Sequence, residues 1–342
     1  MNANAPCGPV PREPGRYAAI DIGTVTCRML VADVDAKGGL VELDREYAIT
    51  NLGEGVDASG VLRPEAMRRV ADAIARFQSI LAAYETPGCP DVHVTAVATS
   101  AARDADNSEE FAALLREAGV ELAVIPGERE AALSFSGASS GFGGERLLVV
   151  DIGGGSTEVV AGTAGCDPAR SYSFDIGCRR VTEKFLASDP PSADELAAAR
   201  LWIAEGMRPF FDALRAAGCA PQRLVAVAGT ATTVVSVHER MAVYDTARVH
   251  KAVVTRPMLD GVFDELRRAP LAERRKIVGL DPGRAPVIVA GMVILQTVLD
   301  LAGFESFTVS ETDILHGIVL SEAEKGRFRP TEIAGPSDNV LP

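Results

Sequence analysis

Two short stretches 130 residues apart carry the same reactive residue types. In Ala18-Ala19-Ile20-Asp21-Ile22-Gly23-Thr24 and in Leu148-Val149-Val150-Asp151-Ile152-Gly153-Gly154-Gly155-Ser156-Thr157, an apolar run leads into Asp-Ile-Gly and a small hydroxyl residue. Glycines let a backbone approach a phosphate closely, and the N–H groups and hydroxyls of a tight turn can hydrogen-bond its oxygens. An acid at the strand end can hold a metal ion that neutralises the same phosphate. Gly23, Thr24, Gly153, Gly154, Gly155, Ser156 and Thr157 form the candidate phosphate cradle, with Asp21 and Asp151 as the strand-end acids. Two copies of one weak signal predict two facing lobes that close on a phosphate chain.

The elements that position these residues are legible in outline. The apolar runs read as buried strands, and strand-like and helix-like segments alternate, as in an α/β architecture. After Pro64, residues Met67, Val70, Ile74, Phe77, Leu81 and Tyr84 step by three and four, the stripe of an amphipathic helix. A strand over 92–98 runs into Thr99-Ser100-Ala101-Ala102-Arg103. Asn107 with Glu110 predicts a capping box opening a short helix that Gly119 ends. A strand over 120–125 then enters Pro126-Gly127-Glu128-Arg129-Glu130-Ala131. The Gly-rich patch 141–144 marks the lobe boundary, giving a first lobe over 16–141 and a second over 142–313. Residues 1–15 and 328–342 are expected to be flexible tails. In the second lobe, Ser192 with Glu195 caps a long helix, and a strand over 224–228 turns at Gly229-Thr230-Ala231-Thr232-Thr233, a third small-residue turn. Asp175-Ile176-Gly177 lacks the hydroxyl residue and is not counted as a phosphate loop. The apolar run 287–301 is interrupted by Gln296 and Asp300, so it reads as a buried helix rather than a membrane span.

At 342 residues, with 47% hydrophobic and 24% charged residues, the chain has the length and composition of about two globular domains. Its net charge of −13 argues against non-specific binding to nucleic acid or anionic membranes. The same charge would repel a phosphate chain, a conflict that Mg²⁺ and a locally basic surface resolve. Residues 248–284 supply such a surface, with nine Lys/Arg against five Asp/Glu. This island reads either as a solvated helix face or as a guide for a polyanion. Six scattered cysteines show no C-x-x-C and no zinc spacing with the four histidines, which predicts reduced thiols and a cytoplasmic protein. The polar, Pro-rich N-terminus lacks the order of a signal peptide.

With these elements in sequence, the chain resembles the exopolyphosphatase/guanosine pentaphosphate phosphohydrolase (Ppx/GppA) family within the actin-like ATPase superfamily. The resemblance spans about residues 17–322. It rests on Asp151-Ile-Gly-Gly-Gly-Ser-Thr-Glu158, Gly127-x-x-Glu130-Ala131, 228–233, 283–291 and Ser310-Glu311-x-Asp313-Ile314-Leu315-x-Gly317. It implies the short, two-domain form without an appended HD-type domain. The implied fold is α/β: two ribonuclease-H-like lobes of actin-like ATPase type with the active site in the interdomain cleft. A last helix near 314–326 is expected to cross back onto the first lobe.

The resemblance also implies roles. Glu130, which by spacing alone is a first-turn acid on a helix, becomes the general base, and Arg103, otherwise a surface arginine, a phosphate contact. Asp151 and Glu158 become the Mg²⁺ carboxylates, with other divalent cations admissible, and Asp21 the matching acid of the first lobe. Gly229 and Thr230 line the phosphate path. Arg28 is either a weaker phosphate contact or solvated. One departure stands out: where relatives have Ser/Thr-Asn-Ser, this chain has Thr24-Val25-Thr26. The implied activity is Mg²⁺-dependent removal of the terminal phosphate of inorganic polyphosphate. The alternatives are conversion of pppGpp to ppGpp, or a non-hydrolytic sensor of ppGpp or polyphosphate. A ppGpp inhibitor and a homodimer are implied partners.

Overall fold

Each Asp-Ile-Gly turn lies inside a hairpin, and a sheet grows outward from each hairpin. The structure, a computed structural model, describes residues 12–85 and 91–324; of the expected tails over 1–15 and 328–342, residues 1–11 and 328–342 lie outside them, whereas Arg12 pairs with Glu324 at 3.2 Å and Gly15 opens the first strand. The first sheet contains β1 (Gly15–Ile22), β2 (Thr26–Val34), β3 (Leu40–Ile49), β4 (Val92–Ala98) and β5 (Leu122–Val124), in the order β3-β2-β1-β4-β5. The second contains β6 (Arg146–Ile152), β7 (Thr157–Thr163), β8 (Arg170–Phe174), β9 (Arg223–Val227), β10 (Val253–Thr255) and β11 (Ser306–Val309), in the order β10-β11-β9-β6-β7-β8. In both, three strands form an antiparallel meander, and parallel strands then extend from the first of them. Apart from β10 on the far edge, one strand order occurs twice. The fold is therefore α/β with two ribonuclease-H-like lobes.

The expected apolar stripe is realised in the helix Pro64–Leu81, which buries Met67, Val70, Ile74, Phe77 and Leu81 against the first sheet. The helix Ile288–Ala302 is apolar on nearly every side and lies within the second lobe's core. Ser192 and Glu195 form a capping box on the helix Ala193–Ala216. Asn107 does not cap Ser108–Glu117; its amide pairs with both backbone groups of Leu62, at 2.7 and 3.0 Å. That remote backbone, invisible in local spacing, outcompetes the helix end for the side chain.

Two helices are exchanged between the lobes. Gly127–Ser139 follows the first sheet in sequence, yet buries Ala131, Phe135 and Ala138 against Leu147, Val149, Val160 and Val225 of the second. Ile314–Ala323 follows the second sheet but packs Ile314, Leu315, Ile318 and Val319 against Tyr17, Ala19, Leu30 and Ala32 of the first. The two cross backbone to backbone. A Cβ on Gly137 would lie 1.8 Å from the Asp313 carbonyl oxygen, and one on Gly317 1.9 Å from that of Leu133. Residues 325 and 326 of the expected last helix lie outside the described residues.

Polar contacts tie the lobes together on both rims. On one, Arg180 reaches Asp57 and Asp104, each at 2.6 Å, and Arg179 reaches Asn51. On the other, Arg45 meets Glu311 at 3.1 Å and Tyr47 meets Asp281 at 2.9 Å. Val25 packs with Ile49, Cys178 and Val287 between the lobes, so the residue that departs from the family pattern is an apolar interlobe contact. The expectation of reduced thiols is corrected at Cys166, which is disulfide-bonded, whereas Cys27, Cys178 and Cys219 are free. Separation along the chain carries no information about which cysteines the fold brings together. Among the described residues, no helix is long and apolar enough to cross a membrane.

Candidate active site

Strand pairing places the acids. In the second lobe Asp151 and Glu158 are direct cross-strand partners at the mouth of the β6–β7 hairpin, so a separation of seven along the chain collapses to neighbouring positions. Ser134 Oγ donates to Asp151 Oδ2 at 2.6 Å, and Ser173 Oγ donates to Glu158 Oε1 at 2.7 Å. In the first lobe the corresponding pair is Asp21 and Arg28. Glu130 arrives from the first turn of Gly127–Ser139 and is buried, with Arg103 Nη1 donating to its Oε2 at 3.1 Å.

Asp21, Arg28, Glu130, Asp151 and Glu158 line one interlobe cleft. Its walls include Asp21, Gly23, Thr24, Arg28, Glu130, Asp151, Gly153 to Ser156, Glu158, Gly229, Thr230 and Arg284. The four carboxyls face only two arginines along these walls. Burial pushes Glu130 up to about 8, against the pull of Arg103. Burial likewise lifts Asp151 to about 6, and it raises Glu158 well above the carboxylate range, with Glu130 and Asp151 repelling its charge. Asp21 is raised by burial despite Arg28, and its Oδ1 is buried without a hydrogen-bond partner.

The carboxyls fit a divalent cation that keeps part of its hydration. Ser134 holds Oδ2 of Asp151, Ser173 holds Oε1 of Glu158 with a second hydrogen bond to Glu158 from the Ser156 side chain, and both carboxyls line the cleft. Among the described residues no three His, Cys, Asp or Glu converge as a closed metal cage. That donor set suits Mg²⁺, for which one or two carboxylates suffice when waters and phosphate oxygens complete the shell.

Of the residues expected to cradle phosphate, Gly23, Thr24, Gly153, Gly154, Gly155 and Ser156 line the cleft; Thr157, Arg103 and the basic island lie elsewhere. Thr157 is fully buried, and its hydroxyl donates to the Ile176 carbonyl at 2.5 Å, away from the cleft. Arg103 is not on the cleft wall; it bonds to Glu130 and, at 3.1 Å, to the Ile125 carbonyl. The basic island is largely self-neutralised: Arg267 and Arg268 pair with Asp264, Lys276 pairs with Glu273, and Arg274 is buried on three backbone carbonyls. The glycines also serve the interlobe approach. A Cβ on Gly155 would lie 2.3 Å from Ser100 Oγ, and one on Gly154 would lie 2.7 Å from Thr24 Cβ, both across the cleft.

Sequence reasoning undervalued Arg28 and gave Arg284 no role. Arg28 is not solvated: it bridges Asp21, at 2.6 Å, and Asp313. The shared seven-residue spacing of Asp21/Arg28 and Asp151/Glu158 was the signal for it. Arg284 lines the cleft above Gly229, where a Cβ would fall 0.8 Å from its Nη1. Ala228, at φ 63°, makes a strained turn into the helix Ala228–His238, whose first residues, Ala228, Gly229 and Thr230, line the cleft.

The sequence profile of the Ppx/GppA phosphatase family matches residues 30–326. The chain belongs to that family. It is 40% identical over 324 residues to the exopolyphosphatase 2 of Mycobacterium tuberculosis, covering 90% of this chain and 98% of that protein. Its structure is similar to that of an exopolyphosphatase from Cytophaga hutchinsonii, with a TM-score of 0.81, 27% identity, and coverage of 90% of this chain and 97% of that one. It is also similar to the Ppx/GppA family member of Aquifex aeolicus, with a TM-score of 0.73, 29% identity, and coverage of 93% and 100%. As a Ppx/GppA phosphatase, the chain is a hydrolase.

Proposed function

We propose that this Ppx/GppA phosphatase is a Mg²⁺-dependent exopolyphosphatase that releases the terminal phosphate of inorganic polyphosphate. The observation that carries this reading is the meeting of buried Glu130, Asp151 and Glu158 with glycine turns from both lobes in one cleft. A phosphoanhydride terminus needs its charge neutralised and a water aligned behind the phosphorus, and little else.

The backbone N–H groups of both turns, with Thr24 and Ser156, hold the terminal phosphoryl. Asp151 and Glu158 would hold Mg²⁺, which supplies charge neutralisation on the phosphate oxygens when bound. Glu130 accepts a proton from the attacking water through one carboxylate oxygen, while Arg103 anchors the other and keeps the group oriented. Arg28 and Arg284 add fixed positive charge to the walls. Gly229 and Thr230 present a helix N-terminus to the phosphate path.

The test is phosphate release from long polyphosphate, pppGpp and ATP by wild type and Glu130→Gln, with and without Mg²⁺. Rapid release from polyphosphate that falls about 10²- to 10⁴-fold in the variant supports the reading. A preference for pppGpp moves the activity to the guanosine pentaphosphate branch. Binding of polyphosphate or ppGpp with no wild-type release from any substrate makes the protein a sensor and overturns the proposal.

A further inference from the structure

A chain of polar and charged groups runs from exposed Glu42 on the outer edge of the first sheet through buried His316 and Asp313 to the cleft. Glu42 Oε1 on β3 lies 2.9 Å from His316 Nε2, and His316 Nδ1 accepts the backbone N–H of Asp313 at 3.3 Å. Asp313 caps the helix Ile314–Ala323 through Oδ1, which accepts from Leu315 N–H at 3.0 Å. Its Oδ2 accepts from Arg28 Nη1. The remaining arms of Arg28, Nε at 3.1 Å and Nη2 at 2.6 Å, both donate to a single oxygen, Asp21 Oδ2.

That last geometry is unusual. A guanidinium beside a carboxylate ordinarily forms a two-oxygen fork. Here Asp313 holds the third arm, both donors crowd onto Oδ2, and Oδ1 of Asp21 is left buried with no partner. An open buried acceptor is costly unless a bound group brings a donor.

We propose that Asp313 is a positioning residue for the reaction: by holding Arg28 off the two-oxygen fork, it keeps Asp21 Oδ1 open as the acceptor for an O–H donor that enters with the substrate, from water or a protonated phosphate oxygen. Asp313 does not touch the substrate; it acts through Arg28 on Asp21. This rests on the hydrolytic reading of the cleft.

The test is a cycle of Asp313→Asn, Asp21→Asn and the double variant, assayed on polyphosphate. Asparagine retains a capping oxygen for the helix, and a melting curve checks the fold. Asp313→Asn should lower kcat/KM about 10- to 100-fold, the scale seen when a supporting partner of a site ligand is removed. In the Asp21→Asn background it should add almost nothing, because coupled residues are non-additive. A crystal structure of Asp313→Asn should show Arg28 forked on both oxygens of Asp21. Calorimetry with inorganic phosphate should show weaker binding, a readout that holds even if wild type releases no phosphate and the hydrolytic reading fails. His316→Gln, which loosens Asp313 without removing its charge, should lower kcat/KM less than Asp313→Asn and keeps the test alive if the asparagine variant does not fold. Additive losses in the cycle, or unchanged phosphate affinity with Arg28 still on Oδ2 alone, would overturn the assignment.

Discussion

The two hairpins that face each other across the cleft differ at one decisive position. In β1–β2 the strand-end acid Asp21 is paired across the strands with Arg28; in β6–β7 the equivalent acid Asp151 is paired with Glu158. One lobe neutralises its own acid. The other sets two buried carboxyls side by side and leaves their charge for something else to balance. Duplication of a fold thus yields two half-sites of different charge, one whose acid faces an arginine and one whose acid faces a second carboxyl. The difference comes down to the side chain seven residues after each acid.

The largest effect expected from this contrast lies on the two-carboxyl side. Asp151→Asn should cost several kcal/mol of transition-state stabilisation, at least about 10³-fold in phosphate release. The steady-state rate under saturating Mg²⁺ checks it; a loss below tenfold would mean the two half-sites are not so different. Converting the first hairpin into a copy of the second, with Arg28→Glu, should leave Asp21 and Asp313 buried without their cation. The expected loss of folding stability is about 3–5 kcal/mol, read from urea unfolding.

The contrast also has a pH signature. Glu130 and Asp151 bind a proton more tightly folded than unfolded, since burial lifts them from ordinary values of 4.5 and 3.8 to about 8 and 6. Their contribution to stability is fully present below those ordinary values and is lost as pH rises through about 6 and then 8. The metal-free protein should therefore lose stability steadily as pH rises across that window. Mg²⁺ should restore much of it, and Glu130→Gln should flatten the upper part, both visible in melting temperatures measured from pH 4 to about pH 9. The smallest effect concerns the turns. Gly155→Ala presses on Ser100 across the cleft and should cost about 1–3 kcal/mol. Gly23→Ala meets Thr26, its carbonyl at 3.2 Å, within its own turn and should cost less. Equal costs would mean the glycines serve their own turns alone.

What was legible in the sequence was local or repeated. The strand-end acids, the Pro64–Leu81 stripe and the Ser192 cap are written in short-range pattern, and the fold realises them. Features that depend on distant partners were hidden. Asp313 lies 285 residues from Arg28, so nothing near Arg28 announces that it is held on two sides. Thr157 carries the right residue type for a phosphate cradle, but strand alternation turns its hydroxyl to Ile176. The island over 248–284 has the composition of a polyanion guide, yet helical spacing brings Asp264 and Glu273 alongside its cations.

The exchanged helices impose an order on biosynthesis. One face of the first sheet, with Tyr17, Ala19, Leu30 and Ala32, is covered by a helix that begins only at Ile314. At the roughly 5–20 residues per second of translation, that greasy surface waits on the order of ten seconds or more after its own strands have left the ribosome. The lobe made first is completed last. A nascent chain stalled anywhere in the second lobe should therefore present a chaperone-binding face on the first, and a truncation before residue 314 should aggregate through that same face.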